Sequence, residues 1–177
     1  MGLKGGPTQD EVMAVSLRKL GIRAGDRIAD IGCGTGKVSI AASLVAGRVY
    51  AVDRRAEAIA YARQAAAEAG AVNIDFFEGD AVEFLAGIDR LDCAFVGGSR
   101  RLPEVLDLLS EKVSGTIVVN AVMVETLAEA ICSMKRLGIF REAVHLQVSR
   151  SAEIAGGVMF KPQNPVYIIV GGDAACS

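Results

Sequence analysis

From Arg27 onward, short β-branched runs alternate with alanine-rich stretches of helical character. That alternation admits few folds, because parallel strands need crossovers and helical crossovers cover both faces of the sheet. Strands are predicted at Arg27 to Ile31, Arg48 to Val52, Asn73 to Phe77, Leu91 to Val96 and Thr116 to Val119. The helices between them begin near Gly36, Ala56, Asp80 and Pro103, and Gly70 ends the second as a residue that tolerates the left-handed region. A further helix, Met123 to Leu137, is closed by Gly138, and two strand-like runs then follow without a helix, Phe140 to Arg150 and Val166 to Val170. Two such runs pair most simply as an antiparallel hairpin at one edge. Their connection, Ser151 to Asn164, holds Gly156-Gly157 and Pro162 and reads as a long functional loop. The expected architecture is α/β, doubly wound, with a mostly parallel seven-stranded sheet, helices on both faces and an antiparallel C-terminal hairpin.

Ahead of the first strand, Thr8-Gln9-Asp10-Glu11 has the spacing of a capping box. It opens a helix that turns Val12, Val15 and Leu20 inward and stops at Gly21. The chain of 177 residues, 51% of them hydrophobic, builds one core and leaves no room for a second domain. Three stretches are expected within that domain: an N-terminal helix over 1–24, a ligand-binding core over 25–137 and the hairpin over 138–172. Gly172 to Ser177 are expected to fray.

Lys and Arg number 19 against 21 Asp and Glu, so the net charge of −2 supplies no global positive field for nucleic acid or an anionic membrane. The most apolar stretches are broken by Ser39, Ser43, Asn120 and Glu125, and the start lacks the apolar core of a secretory signal. The expectation is a cytoplasmic protein. Cys33, Cys93, Cys132 and Cys176 are far apart and form no metal-ligand spacing, and the chain has one histidine, so neither a metal site nor a disulfide framework is expected. All four are read as buried, unreactive thiols. His145 lies in the run from Ala143 to Val148 and reads as an ordinary strand position.

The most informative residues are Asp30-Ile31-Gly32-Cys33-Gly34-Thr35-Gly36, directly after the first strand and opening its helix. Glycines there let the backbone pass close beneath a ligand, and the helix start offers N–H donors, so a nucleotide-type ligand is implied. A dinucleotide fingerprint would need glycine at position 37, which is Lys37. The spacing is G-x-G-x-G instead. Glycine-rich turns of this kind occur in many α/β proteins, and the acids near the ends of the next two strands also have plainer readings: Asp53 as an acid at a helix start, Asp80 as a helix cap.

An acid before the glycines, the compact glycine spacing and Asp53 ending the second strand resemble the class I S-adenosylmethionine-dependent methyltransferases. The resemblance implies their Rossmann-like fold and S-adenosylmethionine as cofactor. It places the cofactor on Gly32, Cys33, Gly34, Thr35 and Gly36 and gives its ribose to Asp53, whose two oxygens match two vicinal hydroxyl donors. Either the Asp80 side chain or the Ala81 backbone N–H would read the adenine edge. Gly5-Gly6-Pro7-Thr8-Gln9, Val96-Gly97-Gly98-Ser99, the segment Asn120 to Thr126 and Asn164-Pro165-Val166 together look like a narrower family. It is the decarboxylating precorrin-6B (cobalt-precorrin-6B) C15-methyltransferases of cobalamin biosynthesis.

This second resemblance implies methylation at C15 of (cobalt-)precorrin-6B with loss of the C12 acetate carboxylate, and a homotetramer. It also makes Thr8 a cofactor contact in a lid, a role compatible with helix capping. A sulfonium methyl is already activated, so no nucleophile-and-base pair is required; Glu125 is the one candidate acid for protonating the macrocycle. The carboxylates of a tetrapyrrole call for guanidinium partners, and Arg100, Arg101 and Arg150 are the candidates, with Lys161 at the far side of the late loop. Arg100-Arg101 stand where several members of that family have small residues. Two alternatives remain open: an RNA or other small-molecule methyltransferase of the same fold, and a non-catalytic S-adenosylmethionine-binding subunit. Against the first, no (N/D)PP(Y/F) motif follows the fourth strand, and Cys93 sits within a strand.

Overall fold

A computed structural model describes residues 8–98 and 100–172. The element order is α1 (Asp10–Leu20), β1 (Arg27–Ile31), α2 (Lys37–Ser43), β2 (Arg48–Asp53), α3 (Ala56–Glu68), β3 (Ile74–Glu78), α4 (Ala81–Ala86), β4 (Cys93–Val96), α5 (Leu102–Lys112), β5 (Thr116–Ala121), α6 (Val124–Arg136), β6 (Phe140–Leu146), β7 (Ser149–Ile154), β8 (Gly157–Pro162) and β9 (Val166–Gly172). Seven strands form one sheet in the order β3-β2-β1-β4-β5-β9-β6. The first five are parallel, and β9 runs antiparallel to both β5 and β6. The doubly wound expectation and the antiparallel edge are what the molecule has.

The central strands read as unbroken apolar runs because helices cover them on both sides. β4 is buried throughout, and β5 nearly so. Residues of alternating parity feed two cores. On one face Ala29, Ile31, Val96, Val119 and Ile169 meet Leu102, Leu106 and Leu109 of α5 and Met134 of α6. On the other, Ile28, Val49, Phe95, Val118 and Ile168 meet Val12 and Leu20 of α1 and Val38 and Ala42 of α2, while Ala51 packs with Ile59 of α3. Helix α1 ends where expected: Gly21 takes φ 64° and returns its N–H to the Leu17 carbonyl at 3.2 Å.

Three local expectations are corrected. Helix α1 begins at Asp10, so its cap is Gln9, which makes no side-chain capping bond, and Thr8 lies one residue outside the box it was read to form. Asp10 and Glu11 instead place negative charge at the positive end of the helix dipole. The predicted loop Ser151 to Asn164 is mostly a hairpin: among the described residues β7 and β8 pair only with each other, from Ser149↔Pro162 to Ile154↔Gly157. The tip is Ala155-Gly156 with φ 47° and 79°, the doubly positive φ of a two-residue turn that matches strand twist. Leu91 also leaves the fourth strand, bridging to Val113 instead.

Candidate functional site

Strand order reverses at β1, which lies between β2 and β4; at such a point the loops leave in opposite directions and open a crevice at the carboxyl ends of the strands. The glycine turn occupies that crevice. Gly32 N–H and Cys33 N–H both reach the Val52 carbonyl, at 2.8 and 3.0 Å, and Gly97 N–H donates to the Ile31 carbonyl at 2.8 Å. These bonds pin the tips of β1, β2 and β4 together. At Gly32, with φ 77°, a Cβ would stand 2.8 Å from the Gly98 nitrogen, so the approach of the two loops requires glycine. At Gly36, with φ 75°, a Cβ would meet the Ala62 Cβ at 2.8 Å, which lets α2 and α3 close together beneath the loop.

A cavity of about 430 Å³ opens above these tips, lined by Gly32, Asp53, Arg55, Asp80, Ala81 and Arg100 among others. The structure therefore brings together the glycine turn, the acid ending β2 and the Asp80–Ala81 pair after β3. Asp53 is 6% exposed, and its two oxygens accept four hydrogen bonds. Gly34 N–H reaches Oδ2 at 2.9 Å; Arg55 supplies its backbone N–H and Nε to Oδ1 at 3.1 and 2.9 Å and Nη2 to Oδ2 at 2.9 Å. Burial opposes the charge on Asp53, but the Arg55 guanidinium and the two backbone donors outweigh it and hold the carboxyl below its ordinary range. Asp80 caps α4, accepting from Val82 N–H at 2.9 Å, so its plainer reading is realised while it also lines the cavity.

Asp30 was quoted in the sequence only as part of the motif, and its environment marks it out. It is 1% exposed, Ser39 Oγ donates to its Oδ2, and its Oδ1 has no partner among the described residues. Burial raises its pKa to about 6 against the relief given by Ser39, with the Asp53 charge adding to the rise. The Oδ1 oxygen is buried at the end of β1 below the glycine turn, beneath the residues that line the cavity. Asp53 and Asp80 are the acceptors on the cavity wall, and they suit a ligand with hydroxyl and N–H donors such as a nucleoside.

The remaining candidates are placed as follows. Lys37, the first residue of α2, donates to the Thr8 carbonyl at 2.9 Å and pairs with Asp10 at 2.7 Å, which holds the start of α1 against the helix that follows the glycine turn. Residues 1–7 and Ser99, parts of the motifs read as lid and β4 loop, lie outside the described residues. Arg101 is drawn toward the Asp80 side, with Nη1 3.2 Å from Asp80 Oδ1 and Nε 3.6 Å from Glu104, and it holds φ 52° as the cap of α5. Arg100 lines the cavity, whereas Arg150 pairs with Glu11 at 2.8 Å and ties the β7–β8 hairpin to the start of α1. Lys161 faces Arg150 across that hairpin. Glu125 is exposed in the first turn of α6. His145 is exposed on β6 and stacks on Tyr167 at 4.8 Å, in register with Ala121 at the C-terminal end of β5.

Among the cysteines, Cys33 and Cys93 are buried, but Cys132 is exposed, which corrects the reading of all as buried thiols; Cys176 lies outside the described residues. Burial pushes the Cys93 thiol up to about 12, so it offers no thiolate for nucleophilic methylation of a pyrimidine. No helix among the described residues is long and apolar enough to cross a membrane.

A sheet wound in this order, with a glycine turn after β1 and acids ending β2 and following β3 around one crevice, defines a class I S-adenosylmethionine-dependent methyltransferase. Residues 4–171 match the model of the precorrin methyltransferase domain, and the chain belongs to that family. It is 51% identical to a probable cobalt-precorrin-6B C(15)-methyltransferase (decarboxylating) of Methanosarcina acetivorans, over 97% of this chain and 96% of that protein. Among solved structures, a precorrin-8W decarboxylase of Methanobacterium thermoautotrophicum superposes with a TM-score of 0.91 at 35% identity, covering 95% of this chain and 92% of that one. A precorrin-6Y C5,15-methyltransferase of Geobacter metallireducens gives the same TM-score at 32% identity, with 98% and 94% covered.

Proposed function

We propose that this protein transfers a methyl group from S-adenosylmethionine to C15 of cobalt-precorrin-6B or precorrin-6B and releases the C12 acetate carboxylate as carbon dioxide. The observation that carries the reading is the single cavity that gathers the glycine turn, Asp53 and Asp80–Ala81 at the tips of three successive strands. Membership of the precorrin methyltransferase family and the activity for which the Methanosarcina relative is named support this substrate.

In this reading Gly32 to Gly36 pass beneath the methionine portion, Asp30 Oδ1 accepts from the α-ammonium, Asp53 takes the ribose hydroxyls, and Asp80 or the Ala81 N–H meets the adenine. When bound, the cofactor supplies a methyl group already activated on a sulfonium. The chain's own work is to orient donor and acceptor carbon and keep water from between them, which accounts for a site without a nucleophile and base. Arg100 and Arg101 receive peripheral carboxylates of the tetrapyrrole at the rim, and Arg150 does so from the hairpin; Glu125 is the candidate acid for protonating the macrocycle once loss of carbon dioxide has left its electron pair in the ring system. The segment at Thr8, held by Lys37, closes over the cofactor.

We further infer a cytoplasmic homotetramer. Supporting assembly, β7 and β8 form a two-stranded sheet of their own that exposes Ile154, Val158 and Phe160, and an isolated hairpin of this kind is marginal without a covering surface. The test of the activity is incubation with methyl-labelled cofactor and cobalt-precorrin-6B. Label in the tetrapyrrole with matching carbon dioxide is expected; cofactor binding with no transfer to either substrate form would refute the proposal.

A further inference from the structure

The carboxylate that the reading above assigns to the ribose is already engaged by this chain. Arg55 lies two residues after Asp53, and its Nε and Nη2 reach Oδ1 and Oδ2, both at 2.9 Å, as a two-pronged fork. The two backbone donors, Gly34 and Arg55, take the remaining acceptor positions. A carboxylate has about four acceptor sites in all, so a pair of ribose hydroxyls reaches Asp53 only by displacing donors. The backbone donors are fixed by the glycine turn and the start of α3; the guanidinium is on a side chain and is 31% exposed. A fork of two parallel N–H donors and a vicinal diol present the same pattern to a carboxylate.

We propose that Arg55 is an internal competitor for the ribose site: its guanidinium occupies Asp53 in the ligand-free protein, and the cofactor binds by exchanging its diol for that fork. The competition sets how tightly cofactor and demethylated product are held. A strong ion pair must be opened for each ligand to bind and is regained when the product leaves. Arg55 lines the same cavity as Arg54 and Arg100, so the displaced guanidinium stays at the rim. The inference rests on the assignment of Asp53 to the ribose.

The test is calorimetric titration with S-adenosylhomocysteine, a zwitterion of zero net charge with the same ribose. Arg55→Gln removes the charged fork from a partly exposed helix start, and the dissociation constant should fall about fivefold, the weight of one such pair. The unsubstituted protein should bind about twofold more tightly as potassium chloride rises from about 0.05 to 0.5 M, because salt screens the pair that must open, and Arg55→Gln should not respond. The salt series needs no variant and stands if Arg55→Gln fails to fold. Equal or weaker binding by Arg55→Gln, or binding by the unsubstituted protein that does not tighten with salt, overturns the competition. Asp53→Asn separates the two failures: unchanged binding there removes the ribose assignment itself, whereas lost binding alongside an indifferent Arg55→Gln removes the competition alone.

Discussion

Asp30 gives the protein a stability that depends on pH in a direction opposite to that of an ordinary salt-bridged carboxylate. Its pKa is about 6 in the folded chain against 3.8 in the unfolded one, so folding favours its protonated form. The sign follows. Below 3.8 both states are protonated and the group is neutral in its effect; as pH rises toward 6 the unfolded chain ionises first, and stability is lost until both states are charged. At 1.36 kcal/mol per tenfold change in acidity constant, the loss above pH 6 is about 3 kcal/mol. Asp30→Asn has nearly the same shape, never ionises and leaves Ser39 a carbonyl to bond. Its amide N–H donors fall where Oδ1 has no partner among the described residues, a cost of about 1–3 kcal/mol that does not change with pH. The stability difference between the variant and the unsubstituted protein should therefore move in the variant's favour by about 1.5 kcal/mol from pH 5 to pH 7.5, about 3–6 °C in melting temperature for a chain of this size. Urea unfolding followed by circular dichroism at the two pH values measures that shift. A difference of equal size at pH 5 and pH 7.5 would refute the account. Because the same oxygen is assigned to the cofactor's ammonium, the variant should bind S-adenosylmethionine less well.

Asp53→Ala should weaken cofactor binding by about 1.5–3 kcal/mol, the range for hydrogen bonds to a charged group, as read by calorimetry. Gly32→Ala should abolish activity and lower the melting temperature, since its Cβ would stand 2.8 Å from the Gly98 nitrogen in a backbone conformation with φ 77°; an active variant would mean the β1 and β4 loops separate freely. Arg100→Ala should raise the Michaelis constant for the tetrapyrrole severalfold and leave the cofactor dissociation constant alone, whereas Arg101→Ala, which also frees Asp80, should shift both. Phe160→Asp, on the exposed face of β8, should lower the mass found by light scattering from that of a tetramer toward a monomer; an unchanged mass would place the contact elsewhere.

The parallel sheet was legible because burial on two faces leaves a signature in composition: β-branched runs, alanine-rich crossovers and glycine at the turns. The candidate site was legible where close approach constrains backbone shape, as at Gly32 and Gly36. What escaped depends on side-chain placement or on the absence of a core. The β7–β8 hairpin carries no inward alternation because neither face is buried, and its tip uses Ala155 at φ 47°, where sequence signals favour asparagine or glycine. Thr8 missed its cap by one residue, an offset that spacing alone does not resolve. Arg55 carried no signal in the sequence, and Arg101 was read as a partner for substrate carboxylates; only the turn after β2 and the left-handed cap of α5 aim them at Asp53 and Asp80.

The order of the sheet also bears on how the molecule is made. Strand β9 lies between β5 and β6, so the edge strand formed earlier in synthesis has no neighbour to join until residues 166–172 leave the ribosome. Until then a nascent chain exposes the open flank of β5, while the tips of β1 to β4 that line the candidate site can already assemble. Ligand present in the cell could therefore steady the first half of the domain before its second half has closed.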